Sequence, residues 1–360
     1  MNNGRSASGW SVAFIGSAGI PNRYGGFEAF LEHCAPVMVS EDVTVTVTCD
    51  ASLYEDRQTD YHGVKRLFLG VRANGSASVV HDLLAFSRVC LTSTHIVVLG
   101  VSGGPWFPLW RLVCSLLGKR LLVNIDGVEW RRGKFSRGRR AVLRIFDAVA
   151  QYCAHVIVYD NAALAPFVLP SCRYKSVEIA YSGDHVLRNS QVPVVRGTLL
   201  TICRIEPENN IEMLIEGALK SRMDRYTIIG NWGGSEFGRQ LRARYQGQAR
   251  LEMLDPIYDP AKLANLRESS AVYLHGHSVG GTNPSLVEML FYDNSLLCYD
   301  CAFNRETVAD CARYFSDADQ LTVLLDRELV YGESLNNSRV LRRESFTRQA
   351  IVAKYLAALS

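Results

Sequence analysis

The sequence predicts an α/β protein built from two parallel-sheet units, and three observations carry that reading. Short apolar runs rich in Val, Ile and Leu alternate with segments whose apolar residues recur at helical spacing. A chain of 360 residues is long enough to bury two cores. Loops rich in Gly, Asn, Pro and charged residues follow the apolar runs directly, where open parallel sheets bind ligands.

In chain order, the strand candidates of the first half are VAFIGS, VTVTVTC, VKRLFLGV, HIVVLG, RLLVNIDG and HVIVYD. Those of the second half are TLLTICRI, YTIIGNW, AVYLHG and SLLCYD. The polar stretch HVLRNSQVPVVRG, residues 185–197 with Pro193, marks the seam, so the expected division is 1–190 and 191–340. Residues 341–360 carry apolar side chains at helical intervals and read as a terminal helix.

A net charge of +3 with 21% charged residues gives no global signal for a nucleic-acid partner. Ten cysteines sit mostly in apolar segments, which suits buried thiols in a reducing compartment. The pair Cys298 and Cys301 in CYDC has no second pair and no His at zinc spacing, so no metal is expected. The chain shows no basic-then-apolar leader and no apolar run near the ~18 residues that span a bilayer, which predicts a cytoplasmic location. Gly16, Gly19, Gly25 and Gly26 do not make GxGxxG, which disfavours a nicotinamide cofactor.

Five loops hold the candidate chemistry. In IGSAGIPNRYGGFE, Gly25 and Gly26 stand where a strand hands over to a helix carrying Phe30, Leu31, Cys34 and Met38. They serve either a tight turn or the close approach of backbone N–H groups to phosphate or sugar. In NIDGVEWRR, Asp126 and Glu129 can orient or deprotonate an acceptor hydroxyl, and Asp126 reads equally as a cap. In RIEPENN, Arg204 ends a strand and can fork onto a diphosphate, with a structural bridge as its other reading; Asn209 or Asn210 caps the next helix. In HGHSVGGTNPSLVE, Asn283 is an N-cap and Pro284 a first helical residue, behind Gly280 and Gly281. Glu288 follows one turn later, placed to accept from ribose hydroxyls, while His275 and His277 flank the strand end as core or rim residues. Finally, EWRRGKFSRGRR sets Arg131, Arg132, Lys134, Arg137, Arg139 and Arg140 beside Trp130 and Phe135, either a solvated face or a contact with anionic headgroups. Asp160 and Asn161 read as a strand end and a helix cap, and Gly183 and Asp184 as a turn.

Together PNRYGGFE, NIDGVEWRRGKF, RIEPENN and GHSVGGTNPSLVE, in this order along the chain, resemble the family 4 retaining glycosyltransferases and their rhamnosyltransferase-like bacterial branch. The resemblance implies a GT-B architecture: two Rossmann-like domains facing across a cleft, the nucleotide sugar on the C-terminal one, the acceptor on the N-terminal one, and the last helix packing back on the first domain. It implies a donor site of Gly25, Gly26, Arg204, Glu206, Asn209, His277, Gly280, Gly281, Thr282, Asn283, Pro284, Ser285 and Glu288. Arg23, Tyr24, Glu28, Asp126, Gly127, Glu129, Trp130 and Arg131 are implied on the acceptor side, with Asp126, Arg204 and Glu288 closest to catalysis. Two family charges are replaced: the first of two glutamates spaced by eight falls on Gly280, and a lysine falls on Asn209. No cofactor or metal is implied. The expected donor is dTDP-β-L-rhamnose, and the expected acceptor a lipid-diphosphate-linked saccharide of capsule, O-antigen or exopolysaccharide assembly, met at the inner face of the cytoplasmic membrane. A UDP- or GDP-linked donor, a sugar-nucleotide epimerase and a non-catalytic nucleotide-sugar sensor are the other readings of the same motifs.

Overall fold

The computed structural model of the chain describes residues 9–23, 25–127, 130, 136–189, 191–331 and 336–360. Contacts divide it into two compact units: one runs to Ser182 and takes back Arg348–Ser360, and the other is Gly183–Thr347.

The first unit opens with β1 (Ser11–Ile15), α1 (Gly26–Ser40), β2 (Thr44–Asp50), β3 (Asp60–Tyr61), β4 (Val64–Leu69), α2 (Ser78–Val89) and β5 (His95–Leu99). It continues through α3 (Phe107–Leu116), β6 (Arg120–Asn124), α4 (Arg137–Cys153), β7 (Val156–Tyr159) and β8 (Ser176–Glu178). Its sheet runs β3-β4-β2-β1-β5-β6-β7-β8, parallel except for the β3–β4 pair. Helices cover both faces of such a sheet, so inner strands are apolar on both sides; all five residues of β5 are buried. Phe86 and Trp110, stacked at 4.9 Å, fill one side of the core against Ile15, Ile96 and Val98.

The second unit comprises β9 (Val195–Ile202), α5 (Ile211–Lys220), β10 (Arg225–Ile229), α6 (Glu236–Tyr245), β11 (Leu251–Leu254) and α7 (Pro260–Ser269). After these come β12 (Ser270–His275), α8 (Pro284–Met289), β13 (Ser295–Tyr299), α9 (Ala302–Val308), β14 (Arg313–Phe315), α10 (Ala318–Tyr331) and α11 (Asn336–Glu344). Its sheet, β11-β10-β9-β12-β13-β14, is parallel throughout. Leu199, Ile228, Leu274, Leu297 and Trp232 lie at the centre of its core.

The segment after Ser182 belongs to the second unit because its polar groups are used there. Gly183 N–H donates to Phe346 O, and Arg188 reaches Glu268 and Asp293. At the far end, Arg342 and Arg343 lie in α11 and donate to the carbonyls of Thr307 and Tyr292. A new helix, α12 (Arg348–Leu359), joins the first unit, where Tyr355 stacks on Phe30 at 4.9 Å and Leu359 O faces His95 Nε2 at 3.0 Å.

Strand order reverses beside β1 in one sheet and beside β9 in the other. The crevices for ligands therefore open at the carboxyl ends of β1/β5 and of β9/β12.

Candidate functional site

In the second unit the two loops at the reversal point are tied to each other. Beyond β9 the chain makes a short turn over Pro207–Asn209, and Asn209 donates its amide to Arg204 O at 2.6 Å. Its Oδ1 therefore faces His277 Nδ1, 2.8 Å away, which places the ring proton on Nδ1. Ser278 donates from both N and Oγ to Glu208 O, and Asn210 Nδ2 donates to Gly276 O at 2.8 Å. Asn210 stands at the N-cap position of α5 in the left-handed region, yet its side chain makes no cap bond, because it holds the neighbouring loop instead. Gly276 permits this closeness: a Cβ there would meet Asn209 O at 2.2 Å.

Arg204 is exposed two residues past β9, and its guanidinium makes no hydrogen bond or ion pair among the described residues. Glu206, half-buried, begins the turn. The expected start of α8 is found: Asn283 accepts from Ser285 N at 3.1 Å, Pro284 follows, and Ser285 Oγ also donates to Asn283. With only six residues, however, α8 aligns few peptide dipoles, so its N-terminus carries little macrodipole. Gly280 takes φ +137°, and a Cβ there would lie 2.9 Å from His277 Nε2. Asn209 and Gly280, where the resemblance leads one to expect a lysine and a glutamate, thus border the same imidazole. Gly281 is half-buried and Thr282 buried.

Glu288 is no free carboxylate. Arg267 of α7, itself buried, pairs with its Oε2, and His185 Nε2 is 3.3 Å from its Oε1. Arg267 carried no sequence signal, since it reads as a cation in the last turn of a helix. His185 stood in the Gly183–Asp184 turn, where only its proximity to the seam marked it. His275 resolves as a core residue: burial holds its imidazole well below the usual pKa. Asp300 is bound by Arg305 through both oxygens, and Cys301 Sγ donates to His277 O at 3.6 Å.

In the loop between β1 and α1 the glycines whose backbone is forced are Gly16 and Gly19, not Gly25 and Gly26. Gly16 (φ +85°) passes Leu99 O so closely that a Cβ would come within 2.5 Å, and Gly19 (φ +103°) passes Cys49 in the same way. Gly25 is extended and starts α1 without a side-chain cap; around it a Cβ would meet only Glu28 Oε2, at 3.5 Å. Glu28 is buried, with Oε1 accepting from Ala18 N at 2.7 Å, so it shapes this loop rather than standing open to an acceptor. Burial raises its pKa against three backbone hydrogen bonds that lower it. Glu32 accepts from Asn22 N and Tyr54 donates to Pro21 O, fixing the rest of the loop, while Arg23 is exposed.

Asp126 follows β6 in the left-handed region (φ 56°), its N–H donating to Asn124 Oδ1 at 3.0 Å, with Gly127 buried beside it. A non-glycine residue held there marks a backbone whose surroundings over-determine it. Trp130 is used inside the unit. Its indole N–H donates to buried Asp147 at 3.1 Å, its ring meets Phe167, and Arg144 lies over it at 5.3 Å. It is therefore not an interfacial anchor. Asp160 is buried, and Asn161 caps the following turn through Ala163 N. Tyr24, Glu129 and Arg131, with Arg132, Lys134 and Phe135 of the basic cluster, lie outside the described residues.

Residues 10–184 match a family model described as a domain of unknown function, DUF1972. No curated protein matches the sequence. Among solved structures, sucrose-phosphate synthase of Thermosynechococcus elongatus is similar with a TM-score of 0.79 at 13% identity, over 97% of this chain and 98% of that one. The Anabaena protein HepE, solved with UDP and glucose, gives 0.71 at 12% identity over 97% and 98%. The lipopolysaccharide outer core galactosyltransferase WaaB gives 0.65 at 13% identity over 97% and 99%. This chain has the GT-B glycosyltransferase fold, with two Rossmann-like parallel-sheet units.

Proposed function

We propose that the chain is a metal-independent retaining glycosyltransferase. In the reading its motifs favour, it moves L-rhamnose from dTDP-β-L-rhamnose to a lipid-diphosphate-linked saccharide of a bacterial surface polysaccharide. The observation that carries the proposal is Arg204, exposed and without a partner among the described residues, within the tied loops 203–210 and 276–283, at the reversal point of a sheet whose fold is shared with glycosyltransferases.

When the bond between the anomeric carbon and the phosphate oxygen breaks, negative charge develops on the leaving diphosphate. A guanidinium that meets the diphosphate stabilises that charge more in the transition state than in the ground state. The acceptor hydroxyl enters on the same face, forms the new C–O bond and passes its proton to the departing phosphate oxygen, so no protein nucleophile is needed. On the first unit, Asp126 is the carboxylate proposed for the acceptor hydroxyl. Glu288, held by Arg267 and His185, accepts from the donor ribose. Among the described residues no helix is long and apolar enough to cross a membrane, and the proposed place of work is the cytoplasmic membrane surface where a lipid-linked acceptor resides.

The test is nucleotide release from dTDP-, UDP- and GDP-linked sugars with and without a lipid-linked saccharide. Release that requires the acceptor supports transfer. Conversion of the donor without an acceptor would mean an epimerase, and binding without turnover a sensor.

A further inference from the structure

At the amino ends of its strands, away from the tied loops 203–210 and 276–283, the second unit holds a cavity of about 250 Å³. It is lined by the first residues of β9, β12, β13 and β14 and by side chains of α10 and α11.

The charges around it do not balance. Its lining carries Arg196, Arg313 and Arg339 against Asp293 and Glu328. Both acids are already engaged: Glu328 pairs with Arg313 and accepts from Ser295 Oγ at 2.8 Å, while Asp293 pairs with Arg188 and Arg343. Arg339 is only 2% exposed, and its Nη1 donates to Tyr292 O at 2.7 Å. Its Nε has no acceptor, and the guanidinium has no ion pair among the described residues. Burial first, and Arg343 next, press against that charge. In the same lining Asn294, buried, donates its amide to Arg267 O and Ser270 O, which leaves Oδ1 without a donor. Arg196 is exposed and likewise makes no ion pair among the described residues.

A guanidinium stays charged even when buried, and an uncompensated charge inside a protein is costly. Water satisfies Nε and Oδ1 as a hydrogen-bonding partner but brings no charge. A ligand that answers all three side chains carries negative charge for Arg339 and Arg196 and a hydroxyl for Asn294 Oδ1. A phosphate monoester is close to doubly charged near neutral pH, which matches two guanidiniums better than a single carboxylate does. We propose that this cavity binds a small hydroxylated phosphate of the sugar-phosphate class, at the end of the sheet opposite the nucleotide loops.

The proposal does not rest on the transferase reading, and its test uses no nucleotide sugar. The full chain is titrated by calorimetry with glucose 6-phosphate, gluconate and inorganic phosphate, beside the variants Arg339→Met, Arg196→Ser and Arg204→Ala. Glucose 6-phosphate should bind about tenfold or more tighter than either of the other two. Arg339→Met should lose that binding and melt no lower than the native chain in ligand-free buffer, because it removes an uncompensated buried charge. Arg196→Ser, changed at an exposed position, should keep the native melting curve and bind about tenfold more weakly. Arg204→Ala should bind as the native chain does. No binding by the native chain, native binding by Arg196→Ser, or equal binding of gluconate or inorganic phosphate overturns the proposal. So does a lowered melting curve for Arg339→Met, which would make Arg339 a structural prop. Loss of binding in Arg204→Ala alone overturns it as well, by putting the phosphate at the loops after β9 and β12.

Discussion

Arg204 and Glu288 look alike in the sequence, as one charge each in a loop motif, and differ in the structure. Arg204 is exposed without a partner among the described residues, whereas Glu288 is gripped from two sides. Arg204→Ala is expected to lower kcat ~100-fold or more, because in the proposed mechanism charge on the leaving group loses its guanidinium donor. Its urea denaturation midpoint should stay unchanged; a shifted midpoint would make Arg204 a structural bridge. Arg267→Ala should behave in the opposite way, destabilising the fold by about 3 kcal/mol in urea titration because it leaves the Glu288 carboxylate without its buried cation. The Asn283 cap was legible because capping is a matter of three consecutive residues. The tie from Asn210 to Gly276 spans 66 positions, and the pressure on Gly16 comes from Leu99, so neither shows in a local motif.

At the scale of elements, strands were legible where both faces are buried. The four that were not, β3, β8, β11 and β14, are the four edges of the two sheets. Edge strands are short and half-exposed, so they leave no apolar run to read. Between elements, Gly276→Ala would press a methyl group into the Asn209 carbonyl and part the loops after β9 and β12. A loss of about 1–3 kcal/mol in thermal or urea unfolding is expected, together with weaker nucleotide binding by calorimetry; an unaffected variant would mean the loops need not touch.

The junction of α4 with β7, where His155 meets β6, adds a pH dependence. His155 Nδ1 accepts from Leu121 N, which requires an unprotonated nitrogen, and burial with Arg111, Arg120 and Lys175 lowers its pKa to about 4. The unfolded chain, with an ordinary pKa near 6.5, binds more protons between these values, so stability rises with pH through that window and is lost as pH falls from about 6.5 to 4. Melting temperatures of the native chain and His155→Phe across this range check it: the variant should show a shallower slope, and equal slopes would contradict the assignment.

For the whole molecule, the fold class followed from alternation of elements, and the positions of the crevices follow from strand order, which pairing alone reveals. The place where the chain changes unit is set by the hydrogen bonds of residues 183–189 to distant partners rather than by the polarity of the linker. Turnover is expected to survive EDTA, since the role proposed for Arg204 at the diphosphate is the one a divalent cation would play. Loss of activity to the chelator, restored by magnesium or manganese, would remove that role.

In the proposed mechanism loops 203–210 and 276–283 hold a nucleoside diphosphate whose departure Arg204 stabilises. Acceptor-dependent release of nucleoside diphosphate from a nucleotide sugar, measured for the native chain beside Arg204→Ala and Glu288→Gln, tests it most directly. The account predicts release by the native chain and a loss of ~100-fold or more in Arg204→Ala, with Glu288→Gln also impaired and both variants folded. Native-like release by both variants would contradict it.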